Sequence, residues 1–391
     1  MCLELNIMSD YQVVWRGPVL DATGYGTASR EYALALDRQG ADIKIEPYTW
    51  NFPYKFSDQK KRERLAQLIE KPYAAHKSKI LIYHSPPSNI TLGEEKKDFD
   101  HMILNTVWET NKIPSQWIPM IHLFDAVCVP STANIKAIQD SGVSVPAFHI
   151  PHGADTEAFH PNIPKLSIKE AEDRFVFLSV FDFQHRKNPE GLLKAYWEEF
   201  SQKEKVLLII KTYGASRKWI LSAISEYKRN NGFGEDTAPV YIMTGVFPEE
   251  ELKGLYTLGD VFVLPSRGEG VGLPYLESLS SGTPAMAVSW GGHMDFLNKE
   301  NSFLVDYKLS HPGKGKENAI SKLYSDLFEG EGQLWAEADI GDLKKKLRTA
   351  FENPHLCQKK GAKGRIDMLS RSWDDAGVLL KAAIKKTLAK N

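Results

Sequence analysis

At 391 residues the chain is too long for one ordinary hydrophobic core, and two domains are expected. Its 42% hydrophobic and 25% charged content is that of a globular protein, and a net charge of −1 gives no electrostatic ground for nucleic acid binding. Cys2, Cys128 and Cys357 are too scattered for a disulfide framework or a metal site, no apolar run reaches the ~20 residues of a membrane span, and Glu4, Asn6 and Asp10 do not read as a signal peptide. The expected compartment is therefore the reducing cytoplasm.

Apolar runs alternate with helix-period segments along the chain, the pattern of parallel sheets joined by crossover helices. In the first half, strands are expected over 12–15, 43–47, 80–84, 104–108, 126–129 and 147–150, and helices over 27–39 and 133–140. After the first strand, Gly24-Tyr25-Gly26-Thr27-Ala28-Ser29 opens a helix. This approximates a dinucleotide fingerprint, with Ser29 in place of the third glycine and Glu46 as the acid after the second strand, so a nicotinamide-dependent dehydrogenase is one reading. A glycine loop that shapes a polar ligand site is equally compatible. Between Lys55 and Lys79, eight Lys/Arg stand against Asp58, Glu63 and Glu70, while Leu65, Leu68 and Ile69 give an apolar helical face. Such a segment either touches an anionic membrane surface peripherally or forms a solvated outer face. His84 ends one strand and Glu109 follows another, which makes both candidates for positioning an acceptor hydroxyl. For the histidine, a structural hydrogen bond is the plainer reading.

The breakers Pro151-His152-Gly153-Ala154-Asp155, Pro161 and Pro164 mark a domain boundary. Beyond it, strands are expected over 175–180, 206–210, 240–244, 261–264 and 285–288. Helices are expected over 191–200, 218–230, 249–258, 274–281, 343–352 and 373–388. Two Rossmann-like halves facing across a cleft is the economical architecture, with ligands beyond the carboxyl ends of the strands. There Arg186 and Lys187 can clamp a diphosphate, the Arg by its fork and the Lys as a point charge, unless they form a merely solvated basic turn. Lys211, closing the next strand, adds a third charge. The densest signal is Glu269-Gly270-Val271-Gly272-Leu273-Pro274, followed by Glu277 in the helix that Pro274 begins. Free N–H groups at such a turn hold anions, and an ionised Glu277 accepts from paired hydroxyls. A general acid/base pair, or simply a tight turn before a dipole-favoured Glu, fits the same residues. No metal-ligand spacing is present, so no metal is expected.

In this order, Val107-Trp108-Glu109-Thr110-Asn111-Lys112-Ile113-Pro114, Val129-Pro130-Ser131, Ile150-Pro151-His152-Gly153-Ala154-Asp155, His185-Arg186-Lys187-Asn188, Pro265-Ser266-Arg267-Gly268-Glu269 through Glu277 and Ser281-Gly282-Thr283-Pro284 resemble retaining glycosyltransferases of family 4. The resemblance implies an α/β GT-B fold: a Rossmann-like acceptor domain over 1–155, a nucleotide-sugar domain over 156–372, and a helix over 373–391 returning to the first. It implies metal-independent transfer of a hexosyl-type sugar from a nucleotide-diphosphate donor such as a UDP- or GDP-sugar. The acceptor would be a glycan or lipid-linked hydroxyl in bacterial-type polysaccharide or glycolipid synthesis. Arg186, Lys187 and Glu269 would be catalytic. Glu277, Gly270, Val271, Gly272, Leu273 and Lys211 would bind the donor, and Gly24, Gly26, His84 and Glu109 would lie on the acceptor side. No further cofactor is implied. The family's usual basic residue six before the Lys is Phe181 here, which keeps a non-catalytic GT-B-like subunit as the alternative.

Overall fold

The computed structural model describes residues 11–93, 95–321, 323 and 325–389. The N-terminal residues 1–10, on which the signal-peptide reading rests, lie outside them. The chain divides into two compact units, one formed by residues up to Gly153 together with those from Arg371 onward, the other by Ala154–Ser370.

The first unit is a six-stranded parallel sheet. Its strands are β1 (Tyr11–Gly17), β2 (Ile43–Pro47), β3 (Ser78–His84), β4 (His101–Asn105), β5 (Ala126–Val129) and β6 (Ala147–His149), in the order β2-β1-β3-β4-β5-β6. Helix α1 (Gly24–Arg38) follows β1, with Thr23 as N-cap accepting from the Gly26 N–H. The strand expected over 104–108 stops at Asn105. Beyond it, the Trp108 N–H and C=O turn to the side chain of Asn134 at 3.0 and 2.7 Å, not to a neighbouring strand. Glu109 consequently sits on a loop four residues past the strand end. Helix α2 (Gln59–Glu70) buries Leu65 and Leu68. Its basic face and flanks are tied down by ion pairs of Lys61 with Glu31, Arg64 with Asp37, and both Lys71 and Lys77 with Asp42. The last helix, Trp373–Leu388, lies against α1, where a Cβ on Gly377 would stand 2.9 Å from Ala35.

The second unit holds β7 (Phe175–Asp182), β8 (Val206–Tyr213), β9 (Val240–Thr244), β10 (Val261–Leu264), β11 (Ala285–Val288) and β12 (Ser302–Val305), all parallel, in the order β12-β11-β10-β7-β8-β9. Near-continuous apolar runs such as Val261–Leu264, fully buried, are what a sheet covered on both faces requires. The winding starts at β7, runs out through β8 and β9, then returns to β10 on β7's other side. β7 and β10 are therefore neighbours whose chains leave in opposite directions, the topological switch point at which open α/β sheets bind ligands. Covering helices are α3 (Pro189–Glu199), α4 (Arg217–Asn230), α5 (Glu249–Leu258), α6 (Leu273–Ser280), α7 (Ile340–Glu352) and α8 (Pro354–Leu369). Between β12 and α7 the chain makes an excursion framed by an antiparallel ribbon of β13 (Tyr307–Ser310) and β14 (Trp335–Ala338).

Candidate functional site

The segments after β7 and β10 meet at the switch point. After β7, a single 3-10 turn, His185–Lys187, ends at Asn188, whose left-handed backbone (φ 57°) lets its side chain cap α3 through the Gly191 N–H. The Asn188 Nδ2 also donates to the Pro265 carbonyl (3.1 Å), which pins the turn to the segment after β10. From there Ser266 donates to the carbonyls of Arg186 and Gly268, and the Arg267 N–H donates to the Arg186 carbonyl at 2.8 Å.

This stitching places three predicted residues together. Lys187 Nζ lies 2.6 Å from Glu269 Oε1, and Arg186 Nη1 lies 3.4 Å from Glu269 Oε2 while donating to the Gly268 carbonyl. All three side chains are nearly buried. Burial alone would raise the pKa of Glu269, but Lys187 and Arg186 reverse it and hold the carboxyl at about 2. Glu269 is thus a carboxylate at neutral pH. The turn continues through Gly270 and Val271 to Gly272, whose φ of +84° serves as the N-cap of α6; a Cβ there would also strike the Tyr275 ring at 2.5 Å. Leu273 opens the helix, so Glu277 is its fifth residue, past the first turn where it was expected, and the helix dipole alone does not explain it.

Glu277 is held differently. Its carboxyl accepts from the Tyr256 hydroxyl of α5 at 2.6 Å, and burial pushes it up to about 7 although Lys211 pulls the other way. Lys211 is itself lowered by burial, and its ammonium lies 5.1 and 5.5 Å from the ring centres of Tyr213 and Phe247. Phe181, at the position usually basic in the resembling family, is buried and stacked on Phe183, so it offers no charge.

The remaining predicted residues belong to the first unit. His84 is buried, with its ring centre 5.0 Å from Tyr25 and 5.6 Å from Trp15, and burial lowers it to about 3, so it is neutral at pH 7. Gly24 is exposed at the start of α1. Gly26 is packed so closely that a Cβ would lie 2.1 Å from the Asp21 carbonyl, and its N–H is occupied by Thr23. Glu46, the acid of the dinucleotide fingerprint, is paired with Arg16 at 2.7 Å. These contacts fix Gly26 by packing and leave Gly24 open. Sequence reasoning missed Tyr256, Glu190 and Glu337. Each reaches the site from another element, and nothing in its local sequence marks it. Among the described residues, no group of three or more His, Cys, Asp or Glu side chains is arranged to hold a metal ion.

Two doubly wound parallel sheets with helices on their faces define an α/β protein of the GT-B class. Solved structures share the fold at low identity. A sucrose-phosphate synthase from Thermosynechococcus elongatus superposes with a TM-score of 0.65 at 15% identity, over 97% of this chain and all of that one. The Anabaena protein HepE, solved with UDP and glucose, gives 0.65 at 14%, over 96% of this chain and all of that one. Residues 164–312, within the second unit, match the family model "Glycosyl transferases group 1". An alpha-monoglucosyldiacylglycerol synthase from Streptococcus pneumoniae is 29% identical over 43% of this chain and 38% of its own length. A GDP-mannose-dependent alpha-mannosyltransferase from Corynebacterium glutamicum is 25% identical over 61% of this chain and 59% of its own length. The matched region thus spans less than two thirds of either relative.

Proposed function

We propose that the chain is a glycosyltransferase that moves a hexosyl-type sugar from a nucleotide-diphosphate donor, such as a UDP- or GDP-sugar, to an acceptor hydroxyl with retention of configuration. The observation that carries this reading is the Arg186–Lys187–Glu269 cluster at the switch point of the unit that matches the family. In it, Arg186 and Lys187 stabilise the diphosphate as its charge grows, which is electrostatic catalysis without a metal. Arg186 stands in for the basic group that Phe181 lacks. Glu269 contacts the transferred sugar, the backbone from Gly270 to Leu273 donates to sugar and phosphate, and Glu277 accepts from the ribose hydroxyls. Lys211 adds positive charge. The acceptor, a glycan or a lipid-linked sugar in polysaccharide or glycolipid synthesis, is assigned to the first unit, with Glu109, His84, Gly24 and Gly26 as its candidate contacts. The reaction needs no protein nucleophile, because the acceptor attacks on the face the phosphate leaves and the departing phosphate takes its proton.

A panel of UDP- and GDP-sugars screened by thermal stabilisation identifies the donor, since a ligand bound only by the folded state raises its stability. The anomeric configuration of the product, read by NMR, then tests the route. An inverted product would overturn the front-face mechanism, and stabilisation by a nicotinamide dinucleotide alone would overturn the donor reading.

A further inference from the structure

The excursion between β12 and α7 grips the site's backbone from behind. The His185 N–H donates to the Leu323 carbonyl at 3.0 Å, Ser321 Oγ donates to the Phe183 carbonyl at 2.5 Å, and the Ala336 N–H donates to the Arg267 carbonyl at 2.8 Å. Both segments that meet at the switch point are therefore tied to the same excursion. At its centre lies Arg267, nearly buried, with Nε 2.6 Å from Glu337 of β14 and Nη1 2.9 Å from Glu190 of α3, while Nη1 donates to the His185 carbonyl at 2.5 Å. Its guanidinium lies 5.5 Å from the ring centre of Trp335, which is fully buried and packs edge-on against the His185 ring at 5.4 Å. Burial would raise Glu190, yet His185 and Arg267 hold it below the usual carboxylate range. Arg267 thus joins α3, the 3-10 turn and β14 in one charged knot. The family match ends at residue 312, so β14 and most of the excursion lie beyond it.

We propose that Arg267 and Glu337 are positioning residues: they fix the backbone of the 185–187 turn so that Arg186 and Lys187 are pre-aligned for a nucleoside diphosphate. The inference rests on the donor reading above. Preorganisation of this kind raises affinity by removing the ordering cost from the binding step. Glu337 is the suitable handle, because its side chain is 32% exposed and its loss leaves Arg267 with Glu190 still in place.

The test is the affinity of UDP and GDP, measured by calorimetry on the full chain. Replacing Lys187→Met together with Glu269→Gln removes the ion pair with no net change in charge, leaves Arg186 its bond to the Gly268 carbonyl, and is expected to weaken the preferred nucleotide about tenfold or more. Glu337→Ala is expected to weaken it about fivefold, and Glu337→Gln, which keeps the acceptor, by less than about twofold. Added to the Lys187→Met/Glu269→Gln background, Glu337→Ala should then cost less than about twofold, because residues that act through one another are not additive. A full fivefold loss in that background, or a Glu337→Ala variant that melts earlier with unchanged affinity, overturns the positioning role. Unaltered binding in the Lys187→Met/Glu269→Gln protein instead overturns the donor reading, and the two failures are distinguishable.

Discussion

Burial acts on Glu269 and Glu277 alike, but Glu269 has two cations within 3.4 Å and Glu277 has a phenol and a more distant lysine. Ionised Glu269 therefore stabilises the fold above the ordinary Glu range, near 4.5, and that contribution is lost as pH falls toward about 2. Removing its closest partner exposes the cost of a buried charge: Lys187→Met should lower unfolding free energy by about 2–4 kcal/mol at pH 7. Adding Glu269→Gln should recover part of it, since Arg186 then loses its carboxylate neighbour, as read by urea denaturation. The sign reverses for Glu277. Its folded-state value is raised to about 7, so the protonated form is favoured in the fold, and that advantage disappears as pH rises from about 4.5 through 7. Two outcomes are expected. Nucleoside diphosphate affinity should fall as pH drops below about 7, because a protonated carboxyl loses acceptor capacity toward the ribose. Glu277→Gln should flatten that dependence, and an unchanged pH profile in the variant would remove Glu277 from the binding step. Which carboxylate would be held acidic was not legible in the sequence. Eight residues separate them along the chain, but the cations of one come from the segment after β7 and the phenol of the other from α5.

At the level of elements, the core strands 126–129, 261–264 and 285–288 were readable at the bounds observed because burial on both faces demands continuous apolar runs; the edge strands 43–47 and 240–244, only partly buried, were placed at their bounds as well. The helix Pro354–Leu369 was missed for a physical reason. It packs on α6 through glycines instead of an apolar stripe, so the usual period is absent from its sequence. A Cβ on Gly361 would lie 1.9 Å from the Gly282 carbonyl, and one on Gly364 would lie 2.5 Å from Leu279. Gly361→Ala is therefore expected to cost about 3 kcal/mol or more, since backbone on both sides leaves no flexible atom to yield. Chemical denaturation measures it, and a loss under 1 kcal/mol would show that the two helices can separate freely. The ribbon of β13 and β14 was equally silent, because its two four-residue runs, one half-exposed and the other burying Trp335 and Ala336 in succession, carry neither a two-residue nor a helical period. The candidate site was legible as far as each loop bears its own chemistry, in Arg186-Lys187 and Glu269 through Glu277. The knot around Arg267 was not, since its members come from three separated stretches.

On the scale of the whole chain, the first unit is discontinuous. The Trp373–Leu388 helix buries Trp373, Ala376, Leu380, Ala383 and Ile384 in it. Trp373 packs edge-on to Tyr32 at 5.2 Å and lies 5.4 Å from His152, and the Lys381 ammonium donates to the Gln39 carbonyl at 2.8 Å. A chain ending at Ser370 is expected to lose the protection of the first unit and keep that of the second. Limited proteolysis followed by mass spectrometry should recover a resistant fragment near 154–370 and digest the remainder. Equal resistance of both units would show that the helix is dispensable to the fold.

That discontinuity also orders events during synthesis. Domains ordinarily fold as they emerge, the N-terminal one first. Here the second unit occupies one unbroken stretch and is complete once Ser370 has left the ribosome, whereas the sheet of β1 to β6 must wait for Trp373 and the residues after it. The stretch that precedes the second unit thus closes after it, and until the last helix arrives the face of α1 around Tyr32 and Ala35 lacks the cover of Trp373 and Gly377.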